Sequence, residues 1–188
     1  VMTLSERMAE RLIAESRTDH LGRRLRLTPM WEETEIIKPL PKDGNAFAVK
    51  HGQVGRITVM YSGNMGASHG LGPVVEAAER LQNDERIAFL FIGDGLGRPG
   101  LEHEVASRRL NNVLILNPQN YGTLPLSLAT GHIALVIQPP GTEHLSLPSK
   151  AISSMAAGNA LLALTSEGSD LAALVRKYEA GVICPWND

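Results

Sequence analysis

The chain has 188 residues, of which 43% are hydrophobic and 20% charged. Its net charge of −2 at pH 7 excludes an overall basic field that would hold nucleic acid, and its single cysteine excludes an internal disulfide and a cysteine-based zinc cluster. No apolar run approaches the roughly 20 residues of a membrane span, so we expect a soluble cytoplasmic protein.

The N-terminal residues predict one helix and a linker. Thr3, with Glu6 three positions later, fits a capping box and predicts a helix over residues 4–16. Prolines and a glycine interrupt residues 28–55, which predicts a linker or hinge. The chain opens on what resembles the end of a strand, and we therefore expect it to be a fragment of a longer protein.

The same N-terminal stretch is rich in charge. Six arginines occur within the first 26 residues, together with four acidic residues. This balance favours a solvated surface over a site for a charged ligand or lipid headgroups.

From residue 56 onward, short apolar segments alternate with amphipathic ones. Strands are predicted at 57–61, 87–92, 113–116, 133–137, 160–165 and 181–184, and helices at 72–82, 100–110, 121–129, 148–157 and 169–178. This alternation predicts an α/β fold, a doubly wound parallel six-stranded Rossmann-like sheet with right-handed crossovers. We divide the chain into residues 1–55, a helical appendage with a linker, and residues 56–188, a ligand-binding domain.

The loop after the first of these strands is a candidate phosphate site. Residues 62–70 are small and include three glycines, Gly63, Gly66 and Gly70, and a helix follows. Glycines let backbone approach an anion closely, and the amides and dipole at a helix N-terminus favour negative charge.

A second loop should meet the first. In a sheet with strand order 3-2-1-4-5-6, ligands bind where the connections after the first and fourth strands diverge, which places loops 62–70 and 138–147 together. The second loop leads to Lys150 in the first turn of a helix, where a cation opposes the dipole unless an anion is present. Lys150 therefore indicates an anionic ligand, unless it is a surface lysine that reaches back to Glu143 or to water.

The remaining polar residues of these loops are less informative. Glu143 could accept hydrogen bonds from sugar or ribose hydroxyls, or it could be a solvated loop carboxylate. His69 and His144 lack the further ligands of a metal site, so we predict none. The chain has no nucleophile elbow and no Walker-type lysine.

Several of these segments together resemble one family. Residues 61–66 and 69–71, the glycine turn at 91–95, and residues 147–150, 155–158 and 168–171 are similar to the nucleotide-binding half of group 1 (retaining, GT-B fold) glycosyltransferases. Within that family they are closest to the colanic-acid type of bacterial exopolysaccharide assembly. Residues 1–16 resemble the last strand and helix of the acceptor domain, so the resemblance covers nearly the whole chain.

The resemblance implies a UDP- or GDP-sugar donor with no further cofactor. The donor-binding residues that it implies are Gly63, Asn64, Gly66, His69, Gly70, Gly93, Glu143, Ser149 and Lys150. Asn64 and His69 stand where most members have an arginine and a lysine. Glu143 corresponds to the first of the family's two glutamates, whereas Ala151 occupies the position of the second.

The resemblance also implies what the parent enzyme does. It would transfer the sugar with retention and without a bound metal to a glycan or lipid-linked acceptor held by an N-terminal domain that this chain lacks. The C-terminal helix that crosses back would be missing as well, so we expect this chain alone to bind nucleotide weakly and to transfer nothing. Association of the parent enzyme with the inner face of the membrane stays open.

Three other functions share this architecture. A sugar-nucleotide epimerase would need acid and base groups, which only His69, His144 and Glu143 could supply. A dinucleotide-binding dehydrogenase could use Asp94 for the ribose, but the first loop lacks G-x-G-x-x-G spacing. A noncatalytic nucleotide-binding module is the third, since the fold alone does not specify a function.

Overall fold

A parallel six-stranded sheet forms the centre of the protein, and its strand order confirms the predicted one. The computed structural model describes residues 1–16, 20–66, 70–143 and 145–186. The strands of the sheet are β3 (Ile57–Ser62), β4 (Ile87–Ile92), β5 (Val113–Leu116), β6 (Ile133–Ile137), β7 (Ala160–Leu164) and β8 (Gly181–Cys184). Their order is β5-β4-β3-β6-β7-β8, and every neighbouring pair is parallel.

Helices cover both faces of this sheet. They are α4 (Gly72–Arg80), α5 (Arg98–Ser107), α6 (Leu124–Leu128), α7 (Ser149–Ala156) and α8 (Asp170–Lys177). Successive strand residues point to opposite faces, so Tyr61 of β3 packs with Phe91 of β4 in one core cluster, while Met60 and Leu90 pack in another. The central strands β3, β4, β6 and β7 are largely apolar because most of their residues are buried on both faces of the sheet.

Two of the predicted helices differ from the observed ones by one to three residues at their ends. The helix predicted at 121–129 begins only at Leu124, because the Asn120 side chain accepts hydrogen bonds from the amide and hydroxyl of Thr123 and holds a turn there. The helix predicted at 100–110 spans Arg98–Ser107, and Arg109, with φ of 55°, adopts a left-handed conformation just after it.

The N-terminal capping prediction was also wrong. Helix α1 spans Glu6–Glu15, and its N-cap is Ser5, whose hydroxyl accepts a hydrogen bond from the Met8 amide at 3.2 Å. Thr3 instead belongs to β1 (Met2–Thr3), which pairs in parallel with β2 (Arg26–Leu27). The short helix α2 (Leu21–Arg24) lies between α1 and β2.

The segment predicted as a linker contains a helix that packs into the core. Helix α3 spans Ala46–Lys50, and its N-cap Asn45 accepts hydrogen bonds from the amides of Phe47 and Ala48. Phe47 and Ala48 are buried, and the Asn45 amide group donates to the Leu126 carbonyl at 2.7 Å. Residues 45–48 are therefore anchored to α6, although the division of the chain at residue 55 stays a prediction. None of the helices among the described residues is long and apolar enough to span a bilayer.

Candidate functional site

A cleft of about 510 Å³ opens at the carboxyl ends of β3 and β6, where the connections diverge to opposite faces of the sheet. The loop after β3, helix α6, the loop after β6 and the first turns of α7 form its walls. Its lining residues are Ser62, Gly63, Asn64, Leu124, Leu128, Ile137, Gln138, Pro139, Thr142, Ser146, Pro148, Ser149, Lys150 and Ser153. This is the position that the strand order predicts.

The loop after β3 rests on the loop after β4. The Gly63 amide donates to the Ile92 carbonyl at 2.9 Å, and the Met65 amide donates to the Asp94 carbonyl at 2.7 Å. At Gly93 φ is 151°, and a Cβ there would lie 1.9 Å from the Gly63 oxygen. Glycine at position 93 is thus required for the close approach of the two loops. The amides of Gly63 and Met65, which the sequence predicts to face a phosphate, donate to backbone carbonyls instead.

Lys150 contributes a positive charge to the lining of the cleft. Its ammonium lies 3.9 Å from the centre of the Tyr61 ring, and among the described residues no other group pairs with it. Burial lowers the pKa of Lys150 to about 8. An anionic ligand would stabilise this desolvated ammonium, which lies in the first turn of α7 and has no carboxylate partner in the described part of the chain.

Lys150 does not reach back to Glu143. The Glu143 carboxylate accepts a hydrogen bond from the Ser166 hydroxyl at 2.8 Å and does not line the cleft. The alternative in which Lys150 pairs with Glu143 is therefore not what the structure shows.

Gln138 shapes the second loop and was missed at the sequence level. Its side-chain amide donates to the Ser146 carbonyl at 2.7 Å, and its side-chain oxygen accepts from the Thr165 hydroxyl at 2.9 Å. Its backbone carbonyl accepts from the indole of Trp186 at 2.9 Å. The sequence offers one sign of this role, a polar residue directly after the apolar strand 133–137. The hydrogen bond from Gln138 to Ser146 connects the two ends of the loop after β6.

The structure divides the predicted site residues into groups. Gly63, Asn64, Ser149 and Lys150 line the cleft. Gly93 lines an adjacent cavity of about 320 Å³, which shares Ser62, Gly63 and Asn64 with the cleft.

The other predicted residues lie elsewhere. Gly66 and Gly70 line a separate groove of about 350 Å³ beside α4 and α5. Gly70 has φ of 61°, and a Cβ there would lie 2.7 Å from the Trp186 ring. His69 and His144 lie outside the described residues. Within the described part of the chain, no group of three or more histidine, cysteine or acidic side chains could hold a metal ion.

Comparison with known proteins gives two relatives by sequence. The chain is 34% identical over 126 residues to an Escherichia coli K12 protein named as the colanic acid biosynthesis glycosyl transferase WcaI, a match covering 67% of this chain and 31% of that protein. It is 31% identical over 163 residues to a Pseudomonas aeruginosa protein named as the glycosyltransferase WbjE, covering 84% of this chain and 39% of that protein. The chain thus matches less than half the length of each relative, and no family model matches it.

A solved structure shares the fold. Anabaena Alr3699/HepE in complex with UDP-glucose superposes with a TM-score of 0.77 at 14% identity, covering 98% of this chain and 49% of that one. At this level of identity the likeness shows a common fold.

Proposed function

Because this chain belongs to the group 1 glycosyltransferases of the GT-B fold, we propose that it binds the nucleoside-diphosphate sugar that the parent enzyme uses as donor. The parent enzyme transfers that sugar to a glycan or lipid-linked acceptor in bacterial exopolysaccharide or cell-envelope biosynthesis. The colanic acid assignment of the Escherichia coli relative supports this pathway class.

The observation that carries the proposal is the ammonium of Lys150. It is desolvated, lacks a carboxylate partner among the described residues, and stands at the switch point of the sheet. A diphosphate bound beside Gly63 would neutralise it, and the α7 dipole would favour the same negative charge.

The two adjacent cavities offer room for the rest of the donor. The cleft and the cavity at Gly93 share residues 62–64, so a diphosphate at this shared wall would send the nucleoside to one side and the sugar to the other. The HepE structure with UDP-glucose supports UDP as the first nucleotide to test, with GDP as the alternative.

Transfer with retention and without a bound metal is part of the proposal. The acceptor would bind to a second domain, since the chain matches less than half the length of its relatives. We therefore expect this chain alone to bind nucleotide and to transfer no sugar.

Calorimetric titration of the chain with UDP, GDP, ADP and NAD tests the proposal. We expect selective binding of UDP or GDP, and weaker binding in Lys150→Ala and Asn64→Ala. Binding of NAD alone would favour a dehydrogenase, and binding of none of the four would contradict the proposed function.

A further inference from the structure

The indole of Trp186 contacts the loops on both sides of the switch point. Its Nε1 donates to the backbone carbonyl of Gln138 at 2.9 Å, at the start of the loop after β6. Its Cη2 and Cζ3 atoms lie 2.7 and 2.9 Å from the position that a Cβ would take on Gly70, at the end of the loop after β3. One side chain that follows β8 therefore joins the two loops.

The ring of Trp186 rests on the core beneath these loops. It is partly buried and packs against the cluster that includes Tyr61, Met65 and Ile137. Tyr61 is the residue whose ring holds the Lys150 ammonium, and Met65 belongs to the loop after β3. The core that supports the cation thus also fixes the position of the indole.

The hydrogen bond to Gln138 connects Trp186 to the wall of the cleft. Gln138 and Ser146 both line the cleft, and the Gln138 side-chain amide donates to the Ser146 carbonyl at 2.7 Å. Ser146 lies shortly before Ser149, the first residue of α7. A displacement of Gln138 would therefore be transmitted to the start of the helix that carries Lys150.

Both contacts of Trp186 require an indole. Phenylalanine has no N–H to donate, and its ring ends nearer the backbone than the indole atoms that lie against Gly70. Gly70 has φ of 61°, and the absence of a side chain there lets the ring approach the loop. Trp186 itself is not among the residues that line the cleft.

We propose that Trp186 is a positioning residue for the diphosphate of the donor, an inference that rests on the proposed function. It holds the loops after β3 and β6 at the separation at which Gly63 and Lys150 can contact one ligand. Because the two loops are ordered in advance, less conformational entropy is lost when the ligand binds.

The first test compares Trp186→Phe with Trp31→Phe. Trp31 is the other tryptophan of the chain and is 78% exposed, so its replacement is a matched control. Wild type and both variants of the full chain are titrated calorimetrically with UDP and with inorganic pyrophosphate, and GDP replaces UDP if wild type selects it. Thermal unfolding of each variant measures how far the fold is retained.

We expect Trp186→Phe to weaken the binding of both ligands about fivefold, the net value of one buried hydrogen bond. Trp31→Phe should bind like wild type. A Trp186→Phe variant that unfolds at a lower temperature yet keeps wild-type affinity would overturn the inference, because the indole would then have a structural role alone. A loss confined to UDP would overturn it too, since the diphosphate would not be involved.

The second test uses the fluorescence of Trp186. In Trp31→Phe the only tryptophan is Trp186, so its emission is observed without interference. A ligand that bridges Gly63 and Lys150 restrains the two loops against the indole, and quenching by acrylamide should therefore decrease as UDP saturates the protein. Quenching that is unchanged at saturation would contradict the inference, even if Trp186→Phe fails to fold.

The third test addresses the contact with Gly70. A methyl group added by Gly70→Ala would displace the indole in the wild-type background, whereas the shorter ring of Trp186→Phe leaves room for it. Gly70→Ala should therefore cost more UDP affinity in wild type than in Trp186→Phe, since residues in contact couple. Equal losses in the two backgrounds would contradict the inference.

The proposed function can fail separately from this inference. Wild type that binds UDP or GDP, with affinity and quenching insensitive to Trp186, would overturn the positioning role and leave the proposed function intact. Failure of wild type to bind any nucleotide would instead overturn the proposed function and this inference with it.

Discussion

The ammonium of Lys150 lies 3.9 Å from the centre of the Tyr61 ring, which joins the end of β3 to the first turn of α7. The ring face attracts a cation in a place where solvent is largely excluded. The Lys150 ammonium, to which we assign diphosphate binding, therefore connects β3 and α7, the two elements that flank the switch point. Its contact with the Tyr61 ring positions the charge before a ligand binds.

Replacing Lys150 should raise the stability of the fold and weaken nucleotide binding. Lys150→Met removes a desolvated charge at a helix N-terminus and keeps an apolar stem, so we expect the free energy of unfolding at pH 7 to rise by about 1 kcal/mol. Lys177→Met is the matched control, since Lys177 also lies over a tyrosine ring but in the last turn of α8, where a cation is favourable. Urea unfolding of both variants measures the difference, and a destabilised Lys150→Met would contradict this account.

Nucleotide binding should take up a proton near pH 8. Burial lowers the pKa of Lys150 to about 8 in the free protein, and a bound diphosphate raises it because opposite charge favours the ammonium. Below pH 8 both states are protonated and affinity is insensitive to this group. Above pH 8 only the bound state keeps the proton, so affinity falls by up to about tenfold per pH unit.

Calorimetry with UDP at pH 8.5, in buffers of different ionisation enthalpy, measures this uptake. The proton uptake should disappear in Lys150→Met. The same uptake in wild type and variant would show that another group titrates.

Gly93 should not tolerate a side chain. A Cβ would overlap the Gly63 carbonyl, and a φ of 151° disfavours L-residues, so we expect Gly93→Ala to cost about 3 kcal/mol or more. Gly100→Ala is the control, because nothing lies within 4 Å of a Cβ there and alanine is the better helix former. Chemical denaturation should separate the two variants clearly, and equal stabilities would refute the close approach of the two loops.

Asn45 should behave as a core residue. Its side chain caps α3 and donates to the Leu126 carbonyl and the Thr130 hydroxyl. Asn45→Ala should therefore lower the free energy of unfolding by about 2 kcal/mol, whereas Asn111→Ala, at an exposed position, should change little. A neutral Asn45→Ala would mean that residues 45–50 are the free linker that the sequence predicts.

The sheet could be predicted from sequence because its strands are short, apolar and regularly spaced. Strands 87–92, 113–116, 133–137 and 181–184 have the predicted bounds, and the observed strand order is the 3-2-1-4-5-6 order taken from the doubly wound fold that the alternation predicts. Helix α3 was missed because five residues between prolines and glycines give too little periodicity. The side-chain amide of its N-cap, Asn45, is held by acceptors more than 80 positions away, which local spacing does not encode.

The site was only partly predictable for a similar reason. Lys150 could be identified because a lysine in a first helical turn conflicts with the dipole, a local signal. Gly66 and Gly70 carried the same local signal as Gly63, yet they line a separate groove. Contacts such as Glu32 with Ser153 depend on how distant segments pack, which spacing along the chain does not encode.

A crystal structure of the chain grown with UDP tests the central claim most directly. The account predicts the β-phosphate within hydrogen-bond distance of the Lys150 ammonium, beside Gly63 and at the first turn of α7. A diphosphate in the groove at Gly66 and Gly70, with the cleft at Lys150 empty, would contradict it.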